Sequence, residues 1–160
     1  MDRHDKTTRR TFLATAVASA ATLTFVSEAG ALQASSTPQP MTVYRDPGCG
    51  CCIAWANLAS QSGYRVSIEN SANMAALKRR LGVPSTLASC HTAVVGGYVV
   101  EGHVPLPAVA RLVALSSTDI RGIAVPGMPA GSPGMETPDG YREPFEIIAF
   151  HRNGRTSRFG

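Results

Sequence analysis

Between about residues 41 and 117 the apolar and polar positions fall into short runs of two kinds, alternating and helical, punctuated by glycine and proline. MTVYRD (41–46) is β-prone and stops at Pro47-Gly48, and the CCIAWANLASQS run from Cys51 reads as a helix with apolar positions at 53, 54, 58 and 59, closed by Gly63. YRVSIEN alternates like a strand, with Val66 and Ile68 on one face. SANMAALKRRLGVP predicts a helix opened by Ser71 or Asn73 and ended by Gly82 and Pro84. TAVVGGYVVEGHVP predicts a hairpin around Gly96-Gly97, and LPAVARLVALS a helix with Pro107 near its start. The order is β-α-β-α-β-β-α.

After residue 118 the pattern changes. Residues 122–144 hold five prolines and five glycines and read as a long loop, and FEIIAFHRNGRTSRF then returns to strand character. Asn153-Gly154 predicts a tight I′ turn in a terminal hairpin that either extends the sheet or folds back over the cysteines.

Three of the four cysteines, Cys49, Cys51 and Cys52, sit in four positions between the first strand and the first helix. A strand, a cysteine turn, a helix and a parallel strand, followed by helix, hairpin and helix, is the thioredoxin-like layout. Its glutaredoxin-like members fit best: a mixed sheet with flanking helices and a right-handed first crossover, here with the Gly/Pro-rich loop and the C-terminal hairpin appended.

The N-terminus reads as an export signal over residues 1–31. A charged start with Arg9-Arg10 followed by Phe12-Leu13 is similar to the twin-arginine type, and small residues at Ala29-Gly30-Ala31 offer a cleavage site. The Phe12–Val26 run is short and rich in Ala and Thr, too weak for a comfortable membrane span of about 20 residues; an uncleaved anchor is the alternative. Residues 32–40 form a Ser/Pro/Gln linker and residues 41–160 the domain, with no membrane contact expected after cleavage. Beyond residue 31 remain 11 Lys+Arg and 8 Asp+Glu, spread along the chain, which is no nucleic-acid signature. Lys78-Arg79-Arg80 reads as a solvated helix face.

Cysteines at 49, 51, 52 and 90 make poor long staples, so reactivity or ligation explains them better than structural disulfides. Cys49 and Cys52 form a C-x-x-C in which Cys49 would sit at a helix N-terminus that favours a thiolate. Cys51 is an extra thiol in the same first turn, and Cys90-His91 precedes the third strand, where it would point into the same site. Four thiols and a histidine are a soft ligand set, suited to Cu(I) first and to Zn²⁺ or an iron-sulfur cluster next. Met128, in the first of two PGM repeats, is a thioether ligand candidate and Met135 a lid contact; each could equally be a gap-filler. Glu101 and His103 read as surface residues at a strand end, or His103 as a ligand or orienting donor. His151 reads as exposed and Trp55 as core.

Together DPGCGCCIAW, GVPSTLASCHTAVVGGYVVEGHVP and GIAVPGMPAGSPGME resemble the bacterial domain of unknown function 411 family, over about residues 41–150. The resemblance implies a small periplasmic thioredoxin-like protein tied to copper resistance, binding Cu(I) through Cys49, Cys51 and Cys52 with Cys90 and His91, and exchanging it with other periplasmic copper-handling proteins. Glu101 to Pro105 and Pro126 to Pro129 match further motifs of that family. The alternative is a thiol-disulfide oxidoreductase in which Cys49 attacks and Cys52 resolves, with Cys51 or Cys90 as a second shuttle; a hybrid would switch metal binding off by disulfide formation.

Overall fold

The computed structural model describes residues 37–160, and the predicted export signal and most of the predicted linker lie outside the described residues. Seven strands and three helices follow the expected order and then go beyond it: β1 (Pro40–Arg45), α1 (Gly50–Gln61), β2 (Arg65–Asn70), α2 (Met74–Leu81), a 3₁₀ turn (Ser85–Leu87), β3 (His91–Val95), β4 (Tyr98–Glu101), α3 (Leu106–Leu115), β5 (Ile120–Ala124), β6 (Ile148–His151) and β7 (Thr156–Arg158). They build one mixed sheet in the order β2-β1-β3-β4-β5-β6-β7, parallel at β1·β2 and β4·β5 and antiparallel elsewhere.

Local chemistry sets several boundaries. Asn73 caps α2 by accepting from the Ala76 backbone N–H at 2.9 Å, and Gly82 ends it in the left-handed region. Gly96 and Gly97 both take positive φ, the conformation a I′ turn demands. The second hairpin departs from expectation. Asn153 is not at positive φ, and a bond from Gly154 N–H to His151 O closes a four-residue turn with only the glycine left-handed. This hairpin extends the sheet.

Strand alternation divides the core between the two faces. On one face Met41, Val43, Ala93, Val95, Val100, Ile123 and Ala149 meet Trp55, Ala56 and Ala59 of α1 and Val109 and Leu112 of α3. On the other, Val99, Ala124 and Phe150 meet Val83 and Leu87. The buried stripe of α1 is Cys52, Trp55, Ala56 and Ala59, rotated from the one predicted, and Ile53 is left exposed. Ile68 is likewise exposed, because β2 is an edge strand.

β5 overturns part of the predicted loop, since Gly122–Ala124 belong to a central strand. Gly122 looked like loop punctuation. It is a strand glycine, because a Cβ there would lie 2.1 Å from the Val99 backbone O and 2.5 Å from Phe150 Cζ.

The registers align Arg45, His91, Glu101, Ala124 and Ile148 at one end of the sheet. The segments carrying Cys49, Cys90, His103 and Met128 all leave from that end.

Candidate metal centre

The cysteine turn is built on Asp46 and Arg45. The Asp46 side chain accepts from Gly48 N–H and its carbonyl from Cys49 N–H, turning the chain into α1 with Cys49 at the N-cap. Arg45, buried at the end of β1, donates to the carbonyls of Cys49 (2.7 Å) and Pro47 and to Asn70 Oδ1 (3.2 Å). This guanidinium straps the turn to the sheet, a role that an alternating strand pattern does not announce. Cys49 and Cys52 are joined as a disulfide with Cα atoms 5.6 Å apart. Cys51 is a free thiol whose Sγ lies 3.6 Å from Cys49 Sγ and 3.9 Å from Cys90 Sγ.

Cys90 and His91, at the start of β3, meet His103 from the turn after β4. Cys90 Sγ is 3.0 Å from His103 Nε2 and 3.3 Å from His91 Nδ1. His103 Nδ1 lies 2.8 Å from the Pro133 carbonyl, which can only accept, so Nδ1 carries the proton and the Nε2 lone pair faces the thiol. Both imidazoles are fully buried, as is Glu101, which corrects the reading of Glu101 and His103 as surface residues. His91 packs between Trp55 and His103 with ring centroids 4.8 and 4.9 Å away, and its Nε2 is buried without a partner among the described residues.

Burial governs the protonation states. It pushes the Cys90 thiol up to about 12, helped by the neighbouring Cys51. It pushes His91 down to about 3, helped by the charges of His103 and Lys78, and it lowers His103 despite the opposing Pro133 bond. At neutral pH Cys90 is therefore a neutral thiol between two neutral imidazoles. A soft cation entering there displaces the thiol proton and gains a thiolate.

Beneath Cys90 lies a polar network. The Glu101 carboxylate accepts from Ser89 N–H (2.6 Å), from the Thr92 hydroxyl (2.7 Å) and from Lys78 Nζ, which also donates to Thr92 Oγ1 (2.9 Å). Lys78 is thus buried, not part of a solvated face; its long stem crosses from α2 under the sheet to its countercharge. Ser89 is held twice more, by its hydroxyl bond to Gly127 O and by the backbone bridge between the two residues. Gly102 leaves room for this contact: its φ is 73°, and a Cβ would sit 2.5 Å from Ser89 Oγ and 2.6 Å from Val125 O. Gly102→Ala should cost about 1 kcal/mol or more from backbone strain alone and push Ser89, and Cys90 with it, away from Cys51. Faster alkylation of Cys90 than in the unsubstituted protein checks this.

The Gly/Pro-rich loop covers the site. Ser132 is buried, Pro133 holds His103, and a Cβ at Gly134 would lie 2.8 Å from Trp55 N, so the loop backbone rests on the first turns of α1. Glu136 accepts from Gly134 N–H, and this bond, with the nearby His103, holds its carboxyl below the usual range. Met135 is half-buried, with its backbone bonded to Gly131 and Ser132. Met128 is 54% exposed and lines a surface groove with Pro126, Glu143 and Phe145, in whose walls there is no cysteine or histidine. Trp55 is core as expected, with Nε1–H donated to Val104 O at 2.9 Å. His151 differs from its exposed reading; it is half-buried and bonded to Asp119 and Ser157.

Two sets of metal-capable side chains result, Cys49, Cys51, Cys52 and Cys90, and Cys90, His91 and His103, each with ligand atoms within 4.8 Å of one another. They share Cys90. Among the described residues no helix is long and apolar enough to cross a membrane.

The sequence model of the family described as "Protein of unknown function, DUF411" matches residues 87–135. Two solved structures of the copper resistance protein CopG, form 2 and form 1, are each 41% identical to this chain with a TM-score of 0.72, covering 77% of it and 97% and 96% of their own chains. A search of curated proteins finds no match. The cysteine cluster and these copper-resistance relatives support a copper-related role. With that identity over nearly the whole of both relatives, the chain belongs to the DUF411 copper-resistance family.

Proposed function

We propose that this is an exported, periplasmic thioredoxin-like protein that holds copper as Cu(I), with Cys49, Cys51, Cys52 and Cys90 as thiolate ligands and His91 and His103 as the imidazoles beside them. The observation that carries the reading is the placement of Cys51, whose Sγ stands between those of Cys49 and Cys90 at 3.6 and 3.9 Å. A plain dithiol pair gains little from a third sulfur there and risks wrong pairing with it. The buried environment favours a soft monocation over a hard divalent one, because thiolates and imidazoles replace water as ligands. His103 is turned toward the sulfur by Pro133, and Arg45 fixes the turn that presents Cys49. Met128, half-exposed beside the bridge to Ser89, is a thioether for copper on its way in or out, from or to other periplasmic copper-handling proteins.

The Cys49–Cys52 disulfide favours a second element of the reading, redox coupling. In the disulfide form two of the four thiols are unavailable. Two electrons and two protons from a dithiol reductant convert the bond to two thiols and complete the ligand set, so reduction admits copper; the reverse exchange, in which a disulfide of that reductant class takes up the two electrons and two protons, re-forms the bond and releases it. The same disulfide supports the alternative of a thiol-disulfide oxidoreductase using Cys49 and Cys52. Anaerobic titration of the reduced protein against a competing Cu(I) chelator, repeated with Zn²⁺, tests the copper reading, which expects copper to bind far more tightly. Rapid reduction of insulin, abolished by Cys49→Ser and retained by Cys51→Ser, would favour the enzyme instead.

A further inference from the structure

The opposite end of the sheet carries a second concave surface that copper binding leaves unused. The registers place Val95, Tyr98, Ile120 and His151 at that end, and there Gly82, Arg121, His151, Arg152 and Gly154 line a cavity of about 350 Å³. Its two arginines are pinned in the same manner. Arg121 Nε–H donates to Leu81 O and Arg152 Nε–H to Thr118 O, each at 2.9 Å. Each guanidinium is thereby fixed by its inner nitrogen, while its two terminal NH₂ groups have no partner among the described residues. The Arg121 bond also covers the last carbonyl of α2, which would otherwise repel an anion.

No carboxylate lines the cavity. The acid of this end, Asp119, is engaged by His151 Nδ1 at 2.8 Å and lies 3.9 Å from Arg155. Asp46, Glu69, Glu101, Glu136, Asp139, Glu143 and Glu146 all belong to segments at the cysteine end or to the loop that covers it, which leaves Arg121, Arg152 and Arg155 against one acid here among the described residues. Gly82 and Gly154 put no side chain on the wall, and a Cβ at Gly154 would meet nothing within 4 Å.

We propose that this cavity binds a phosphate group through the terminal NH₂ groups of Arg121 and Arg152. Two pre-oriented guanidinium forks match the paired oxygens and the charge of a phosphate better than those of a single carboxylate. Inorganic phosphate and the headgroup of an anionic phospholipid offer the same chemistry.

The test uses the full chain and two probes. Inorganic phosphate is titrated while amide NMR shifts are followed, and sedimentation is measured with phosphatidylglycerol vesicles against phosphatidylcholine vesicles. Phosphate should give saturable shifts centred on Gly82, Arg121, Arg152 and Gly154. R121Q/R152Q should weaken binding at least about tenfold, and R121K/R152K, which keeps the charge and loses the fork, should weaken it by less. Copper stoichiometry should not change in either variant. Saturation without vesicle binding assigns the site to free phosphate. Vesicle binding lost in R121Q/R152Q assigns it to the headgroup. No saturable shift up to about 10 mM phosphate, together with vesicle binding absent or indifferent to both variants, overturns the proposal.

Discussion

Glu101→Gln is expected to destabilise the protein by about 3–5 kcal/mol, a large share of the roughly 5–15 kcal/mol that holds a domain of this kind folded. The carboxylate is fully buried and accepts from Lys78, Ser89 and Thr92. Its amide substitute cannot accept all of these bonds and leaves the Lys78 ammonium buried without a countercharge. The loss comes mostly from that stranded cation and much less from the absent attraction, so removing both charges in Lys78→Met/Glu101→Gln should be milder than the single change. Urea unfolding of the three proteins checks the order. A loss below about 1 kcal/mol for Glu101→Gln would show that the buried pair does not hold the Ser89–Cys90 turn.

The second large effect is one of pH on the metal-free protein. His91 titrates at about 3 in the folded state against an ordinary value of 6.5, chiefly because its ring is buried. The unfolded chain therefore binds more protons between those values, and stability rises with pH across that window. The contribution is fully present above about pH 6.5 and is lost progressively as pH falls toward 3. A shift of this size corresponds to about 4–5 kcal/mol at 1.36 kcal/mol per unit. Unfolding midpoints measured from pH 7 down to pH 4 should fall steeply. His91→Phe keeps a ring between Trp55 and His103 and removes the titrating nitrogen, so its slope should be shallower by the His91 share; equal slopes would contradict the assignment.

The features legible in the sequence are those that local chemistry decides. Pro-Gly, Gly-Gly and Asn-capped boundaries mark the elements from β1 to α3, and the position of Cys49 at a helix N-cap follows from the motif and the turn before it. Features decided by contacts across the sheet stayed hidden. Gly122 reads as loop punctuation until the Val99 carbonyl and Phe150 are seen to occupy the space of its side chain. Lys78 sits in a basic triplet of an amphipathic helix, and nothing local says that its stem passes under the sheet to Glu101. His103 gave only a weak signal, because EGHVP has the polarity of an exposed turn; its burial comes from the loop that arrives some 30 residues later and places the Pro133 carbonyl on Nδ1. An isolated acid at a strand end opposite a basic helix residue is the one hint from which the Lys78–Glu101 pair could have been guessed.

In the proposed function, Cys51 makes this place a copper centre as well as a dithiol. Its most direct test is the Cu(I) stoichiometry of the anaerobically reduced protein with and without Cys51→Ser, measured by competition with a Cu(I) chelator. The substitution should lower the number of copper ions held or weaken the tightest site by about tenfold or more, since the sulfur within 3.6 Å of Cys49 Sγ and 3.9 Å of Cys90 Sγ is gone. Unchanged stoichiometry and affinity in Cys51→Ser would contradict it.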